Sequence, residues 1–164
     1  MSTIKTDMPR LARHEGVWDG HYRHFDAEGK LVDVHASRLL CRFPKDGPYP
    51  YHQTNLYTWD DGKKEVREYQ CPYEDGSKVL IFLNELIDGW AKEIPQDPHD
   101  RTVMLSWRRP DMPEIYFYEM INTDDTAMSR SRVWQWFRDG VLFRRTLIDE
   151  KKVSPTTTGF EDYA

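Results

Sequence analysis

Four side chains are the candidates for chemistry in this 164-residue chain: His35, Glu68, Tyr118 and Arg132. An imidazole or carboxyl group buried in an apolar interior has its pKa pushed toward neutrality by desolvation, the condition for general acid–base work near pH 7. His35 or Glu68 would move the proton, while Arg132 flanked by Tyr118 would hold a carboxylate or a phenolate. Other chemistries lack their signatures. There is no Gly-x-Ser-x-Gly elbow, no phosphate-cradling glycine loop and no dinucleotide fingerprint, and neither Cys41 nor Cys71 has a local activating sequence. His21 and His24 point to opposite faces of one strand, and His14 and His99 lie in connections. His35 and His52 meet only if the fold joins them. With no His-x-His pair and no His-Glu-x-x-His pattern, neither a metal site nor a cofactor is expected.

Catalytic groups of this kind need an apolar container. The chain has six Trp, nine Tyr and seven Phe, 13% of its residues, which excludes disorder. Its formal net charge of −5 argues against nucleic acid or an anionic membrane as partner, since both require a basic footprint. Met1–Arg13 carries Lys5, Asp7, Arg10 and Arg13 without an apolar run, so it does not read as a secretory signal. Val79–Leu83 is too short for a membrane span. Cys41 and Cys71 read as reduced thiols, and the expected location is cytoplasmic.

Turn signals recur at the spacing of an all-β sandwich or barrel. Asp-Gly, a strong hairpin signal because both residues tolerate positive φ, forms five of these turn signals. Between the turns lie ten β-rich runs: Val17–Phe25, Leu31–Phe43, Tyr51–Trp59, Lys64–Cys71, Lys78–Leu86, Trp90–Ile94, Thr102–Arg108, Glu114–Asn122, Ser129–Arg138 and Val141–Asp149. Short connections make neighbours antiparallel, and closing the meander removes its edges. The expected fold is an antiparallel up-and-down barrel of about eight to ten strands, in one domain over residues 1–153, followed by a loose tail over 154–164. Met8–His14 is the one stretch expected to form a short helical turn.

Gly16-Val17-Trp18 opens the first strand. This resembles the Gly-x-Trp signature of lipocalins and related calycin barrels. The resemblance implies that Trp18 closes one end of the barrel beneath an arginine of the last strand, where Arg144 and Arg145 lie. Some small cytoplasmic barrels of this architecture, the phenolic acid decarboxylases, are cofactor-free enzymes. They carry Tyr-x-Tyr on the first strand, where this chain reads Tyr22-Arg23-His24.

Strand parity sorts side chains by face. Trp18 facing inward takes Tyr22 and His24 with it, and His35 from the second strand. Across Asp61-Gly62, Asn55 pairs with Glu68 and Tyr57 with Val66, on the inner face. Across Asp124-Asp125, Tyr118 meets Arg132 and Tyr116 meets Trp134, so one face gathers Tyr116, Tyr118, Arg130, Arg132, Trp134 and Trp136. Both faces of these last strands are apolar, and parity leaves open which points in. We assign the ring-and-guanidinium face to the interior, because it suits a flat or anionic ligand. On the outside it would instead form a homodimer interface.

Three functions follow. The first is a cofactor-independent lyase, isomerase or decarboxylase acting on a small aromatic or hydrophobic molecule with a phenolic or carboxylate group. Trp18, Tyr22, His24, Asn55, Tyr57, Tyr116, Trp134 and Trp136 would line its site. The second is a binding protein with the same pocket and no chemistry. The third is a homodimeric interaction module.

Overall fold

A computed structural model describes residues 3–162. Ten antiparallel strands form one sheet: β1 (Gly16–Asp26), β2 (Leu31–Arg42), β3 (Tyr51–Thr58), β4 (Lys64–Cys71), β5 (Leu80–Leu83), β6 (Asp88–Glu93), β7 (Thr102–Arg109), β8 (Met112–Thr123), β9 (Ser129–Arg138) and β10 (Val141–Ser154). The order β4-β3-β2-β1-β10-β9-β8-β7-β6-β5 places first and last strands side by side, giving a nearly closed up-and-down barrel. Its seam lies between β4 and β5, where a Tyr73–Leu80 bridge and the ring contact of Tyr69 with Phe82 span the gap. Two single-turn helices, α1 (Ile4–Asp7) and α2 (Pro9–Ala12), cover one end with Ile4, Met8 and Leu11 buried. Of the expected tail, residues 163–164 lie outside the described residues, and Phe160 sits against the Arg38 guanidinium, 5.3 Å away.

The turns decide which side chains face inward. At Asp139-Gly140 both residues have positive φ, 48° and 80°, and Val141 pairs with Arg138 as a two-residue hairpin requires. A bulge between Leu142 and Arg144 then shifts the register, so Trp134 faces Thr146 and Trp136 faces Arg144. The Asp60–Lys63 turn is different. Gly62 (φ 84°) donates to Trp59 O, and Trp59 donates to Lys63 O, the pattern of a type I turn closed by a left-handed glycine. Asn55 therefore pairs with Arg67, one residue from the expected Glu68, and β4 turns over. Glu68 and Val66 face outward, while Glu65, Arg67 and Tyr69 take the inner face.

The β8–β9 connection also departs from expectation. Asp124 accepts from Met128 N and Ser129 N, and Ala127 adopts φ 54°, so the loop runs Asp124–Met128. Tyr118 consequently pairs with Gln135 and Tyr116 with Phe137. Tyr118, 46% exposed, and Tyr116 lie on the outside, where Tyr116 stacks on Phe137 at 5.2 Å. The interior takes Ile115, Phe117, Glu119 and Ile121 from β8, but Arg130, Arg132, Trp134 and Trp136 from β9. Asp88-Gly89 is not a turn. The chain reverses at Asn84, whose side chain accepts from Leu86 N and Ile87 N. Gly89 sits within β6, where a Cβ would collide with the Ser106 carbonyl.

The helix-covered end is held by a buried ion network. Trp18, fully buried, donates through Nε1 to His14 O at 2.8 Å. The cation over its ring is Arg130 of β9, 4.4 Å away, joined by Lys152 at 4.8 Å. It is neither Arg144 nor Arg145, because these pair near Asp26, at the opposite end of β1. Arg130 is ion-paired with Glu150. Arg132 donates to Glu119 Oε1 at 2.5 Å, to Tyr22 OH at 2.9 Å and to Glu150 Oε1 at 3.3 Å. Burial raises the Glu150 pKa, but the two arginines outweigh it and hold the carboxyl below its usual range.

Removing one partner of such a network leaves a buried charge uncompensated, at a cost of about 3–5 kcal/mol. Glu150→Gln is expected to lower unfolding free energy by about that amount in urea denaturation, with Glu150→Gln/Arg130→Met recovering much of it. His14 supplies a pH signature. Burial, then Arg130 and Arg132, hold its pKa well below the usual histidine value. The folded state thus binds its proton at lower pH than the unfolded state, so stability falls as pH drops below about 6.5, by about 1.4 kcal/mol per pH unit per proton. His24 adds to the same slope, its pKa lying at about 4. His14→Gln should flatten the slope between pH 6.5 and 5, read from urea midpoints across that range.

Candidate functional site

The other end of the barrel is open. β1 and β2 carry Tyr22, His24, Asp33 and His35 inward there, because Tyr22 pairs with His35 and His24 with Asp33 across the Asp26–Lys30 turn. A two-residue turn at Ala27-Glu28 would pair Gly20 with His35, whereas Gly20 pairs with Ser37. That two-residue displacement preserves the face, so the inward assignment of His35 stands. With Tyr57 and Trp59 of β3, Trp134 and Trp136 of β9, and Arg144 of β10, these residues line a cavity of about 420 Å³.

The floor is a connected set of rings and hydrogen bonds. His35 stacks on Tyr22, with centroids 5.1 Å apart and planes 16° from parallel. Its Nδ1 lies 2.8 Å from Asp33 Oδ2. The other Asp33 oxygen accepts from Trp59 Nε1 at 3.0 Å. Burial raises the Asp33 pKa, but the hydrogen bonds from His35 and Trp59 outweigh it and keep the carboxyl ionised well into acid. His24 Nδ1 lies 2.8 Å from Thr146 Oγ1, which also accepts from Trp136 Nε1 at 2.9 Å. Burial, then His35 and Arg144, push the His24 pKa down to about 4, so its ring is neutral at pH 7. His24 Nε2 faces Asp33 Oδ2 across 3.9 Å. Burial pushes the Tyr22 and Tyr57 hydroxyls up, so both are protonated donors.

The rim is basic. Arg138 and Arg144 lie against the Phe143 ring, at 4.7 and 5.8 Å, and Lys63 lies over Trp59 at 4.4 Å. Among the described residues none of these three cations makes an ion pair with a carboxylate. Arg67 and Arg109, by contrast, are matched by Glu65 and Asp111.

Of the residues singled out from sequence, Tyr22, His24, His35, Tyr57, Trp134 and Trp136 converge on this cavity. Asn55 lies deeper, donating to Tyr57 OH at 2.9 Å and accepting from Gln53 at 2.8 Å. Arg132 lies below Tyr22, its guanidinium engaged by Glu119 and Glu150. Trp18 is at the covered end, and Tyr116, Tyr118 and Glu68 are outside. Sequence reasoning missed Asp33, Trp59, Lys63, Arg138 and Arg144 as site residues. Parity alone already set Asp33 and Trp59 inward. The rim cations lie beside turns, where parity carries little information.

No protein-family model and no curated protein matches the sequence. Solved structures share its fold. A protein of unknown function from the DUF3598 family of Nostoc punctiforme superposes with a TM-score of 0.64 at 14% identity, covering 87% of this chain and 49% of that one. The S-type phycobiliprotein lyase of Guillardia theta superposes with a TM-score of 0.60 at 14% identity, covering 93% of each chain. This chain spans about half the length of the Nostoc protein and nearly the whole of the lyase. At such identities the likeness is one of fold.

Proposed function

We propose that the open end of the barrel binds a small aromatic or hydrophobic molecule bearing a carboxylate or phenolate. The observation that carries this reading is a ring-lined cavity of about 420 Å³ rimmed by Arg138, Arg144 and Lys63, in a chain whose net charge is −5. Its volume falls in the range of small-molecule sites, about 300–1,000 Å³. Trp59, Trp134 and Trp136 offer flat apolar surface, and the rim cations supply the counter-charge. The Tyr22 and Tyr57 hydroxyls add donors at the floor.

One observation favours chemistry as well as binding. His35 lines the cavity with its Nδ1 2.8 Å from Asp33 Oδ2; with Nδ1–H given to that carboxylate, Nε2 would be the nitrogen free to act as a base. In a cofactor-independent lyase, isomerase or decarboxylase, His35 would take or return the substrate proton, with Asp33 orienting the ring.

The anionic dye 8-anilinonaphthalene-1-sulfonate and the neutral N-phenyl-1-naphthylamine test the binding reading by fluorescence titration. Arg138→Gln and Arg144→Gln should each weaken the anionic dye about tenfold, equal to about 1.4 kcal/mol, and leave the neutral dye unchanged. Equal loss of both dyes, or unchanged anionic affinity in the double variant, overturns the charge assignment. For catalysis, incubation with a panel of aromatic acids and mass analysis of products should show turnover that His35→Asn abolishes while dye binding persists. A panel without turnover leaves a binding protein.

A further inference from the structure

The sequence offers no metal-binding spacing, yet the fold brings His24, Asp33 and His35 together with one potential ligand atom from each within 4.8 Å of the others. We propose that these three side chains bind a first-row divalent metal ion at the wall of the open cavity. The donor set, two imidazoles and one carboxylate, suits zinc, cobalt or ferrous iron rather than magnesium or calcium, which prefer oxygen alone.

The geometry supports direct ligation. His24 is anchored through Nδ1 on Thr146, so its Nε2 is the nitrogen that faces Asp33. The 3.9 Å between His24 Nε2 and Asp33 Oδ2 is too long for a hydrogen bond. Two ligands each about 2.1 Å from a tetrahedral ion stand about 3.4 Å apart, so a small side-chain adjustment closes the site. Asp33 is held by Trp59 on one oxygen and presents the other. His35, held against Tyr22, ligates through Nδ1 in the tautomer protonated on Nε2, giving up its hydrogen bond to Asp33. Thr146, Trp59 and Tyr22 thus supply the outer contacts that orient metal ligands. Three protein ligands leave the remaining coordination positions toward the cavity, where an oxygen of an anionic ligand fits.

This assignment and proton transfer by His35 exclude one another, because both use the same imidazole. Arg144 separates the metal proposal from the anion-binding reading. Its charge attracts an anionic ligand and repels a cation, so the same substitution acts in opposite directions on the two.

Titration of the metal-free protein with cobalt(II), followed by its visible d–d absorption and by equilibrium dialysis, tests the site. One ion per chain with micromolar affinity is expected. His24→Asn, Asp33→Asn and His35→Asn should each weaken it at least about tenfold, with circular dichroism unchanged, and Arg144→Gln should tighten it. The exposed-histidine control His21→Ala/His99→Ala should bind like the parent. No binding below millimolar concentration, binding that survives all three ligand substitutions, or binding lost in the control overturns the proposal. Since the dyes of the preceding section are read without metal, anion binding can stand or fall separately.

Discussion

The interaction on which the rest depends is the buried quartet of Glu119, Arg130, Arg132 and Glu150. Its members come from β8, β9 and β10, and Arg132 reaches Tyr22 on β1. Two positive and two negative groups cancel, so the interior carries no net charge from them. Desolvation still makes such a set a weak source of net stability. Its effect is selective. A one-residue slip of β9 would turn Arg130 and Arg132 to solvent and leave two carboxylates buried alone, so competing registers are costly. That constraint fixes Trp134 and Trp136 on the inner face two and four positions along the same strand. The wall of the open cavity is therefore set by ions buried further down the barrel.

The architecture was legible because the turns announce themselves. Ten runs bounded by Gly, Asp and Pro became ten strands, with Asp139-Gly140 in the expected two-residue hairpin. Facing was legible only where the turn length was. Asp61-Gly62 and Asp124-Asp125 each look like compact turns. In the first, a left-handed Gly62 adds a residue to the loop; in the second, the chain continues to Met128 before pairing resumes. Each odd displacement turns one strand over, and Glu68 and Tyr118 leave the interior together with the roles assigned to them. His35 kept its face because a bulge at His24/Phe25 balanced the three-residue Asp26–Lys30 loop. Backbone bulges leave no clear mark in side-chain pattern, which is why the same reasoning succeeded on one hairpin and failed on the next.

Global charge also conceals local field. In a chain with net charge −5, three cations at one rim have no carboxylate partner among the described residues, while its carboxylates lie mostly in turns and on the outer face. Composition averages over both, so a net charge of −5 is compatible with a locally cationic rim. The aromatic content divides in the same way. Trp18 and Trp107 fill the core, whereas Trp59, Trp134 and Trp136 form walls, and Tyr116 with Phe137 stacks outside.

The two ends of the barrel differ in what their charged groups meet. At the covered end Glu119, Arg130, Arg132 and Glu150 are ion-paired with one another, while Arg13 and Lys152 donate to backbone carbonyls. At the open end the pairing is incomplete: Asp33 binds His35 and Trp59, His24 is anchored on one nitrogen only, and the rim guanidinium groups rest on an aromatic ring instead of a carboxylate. Among the described residues the three rim cations have no carboxylate partner, so the isolated fold gains little from them. On the two readings proposed above, the missing partner comes from solution: an anion for the rim, or a metal ion for the imidazoles and Asp33. The same barrel thus has one end whose buried ions hold the register and another that, on the proposed function, a ligand would complete.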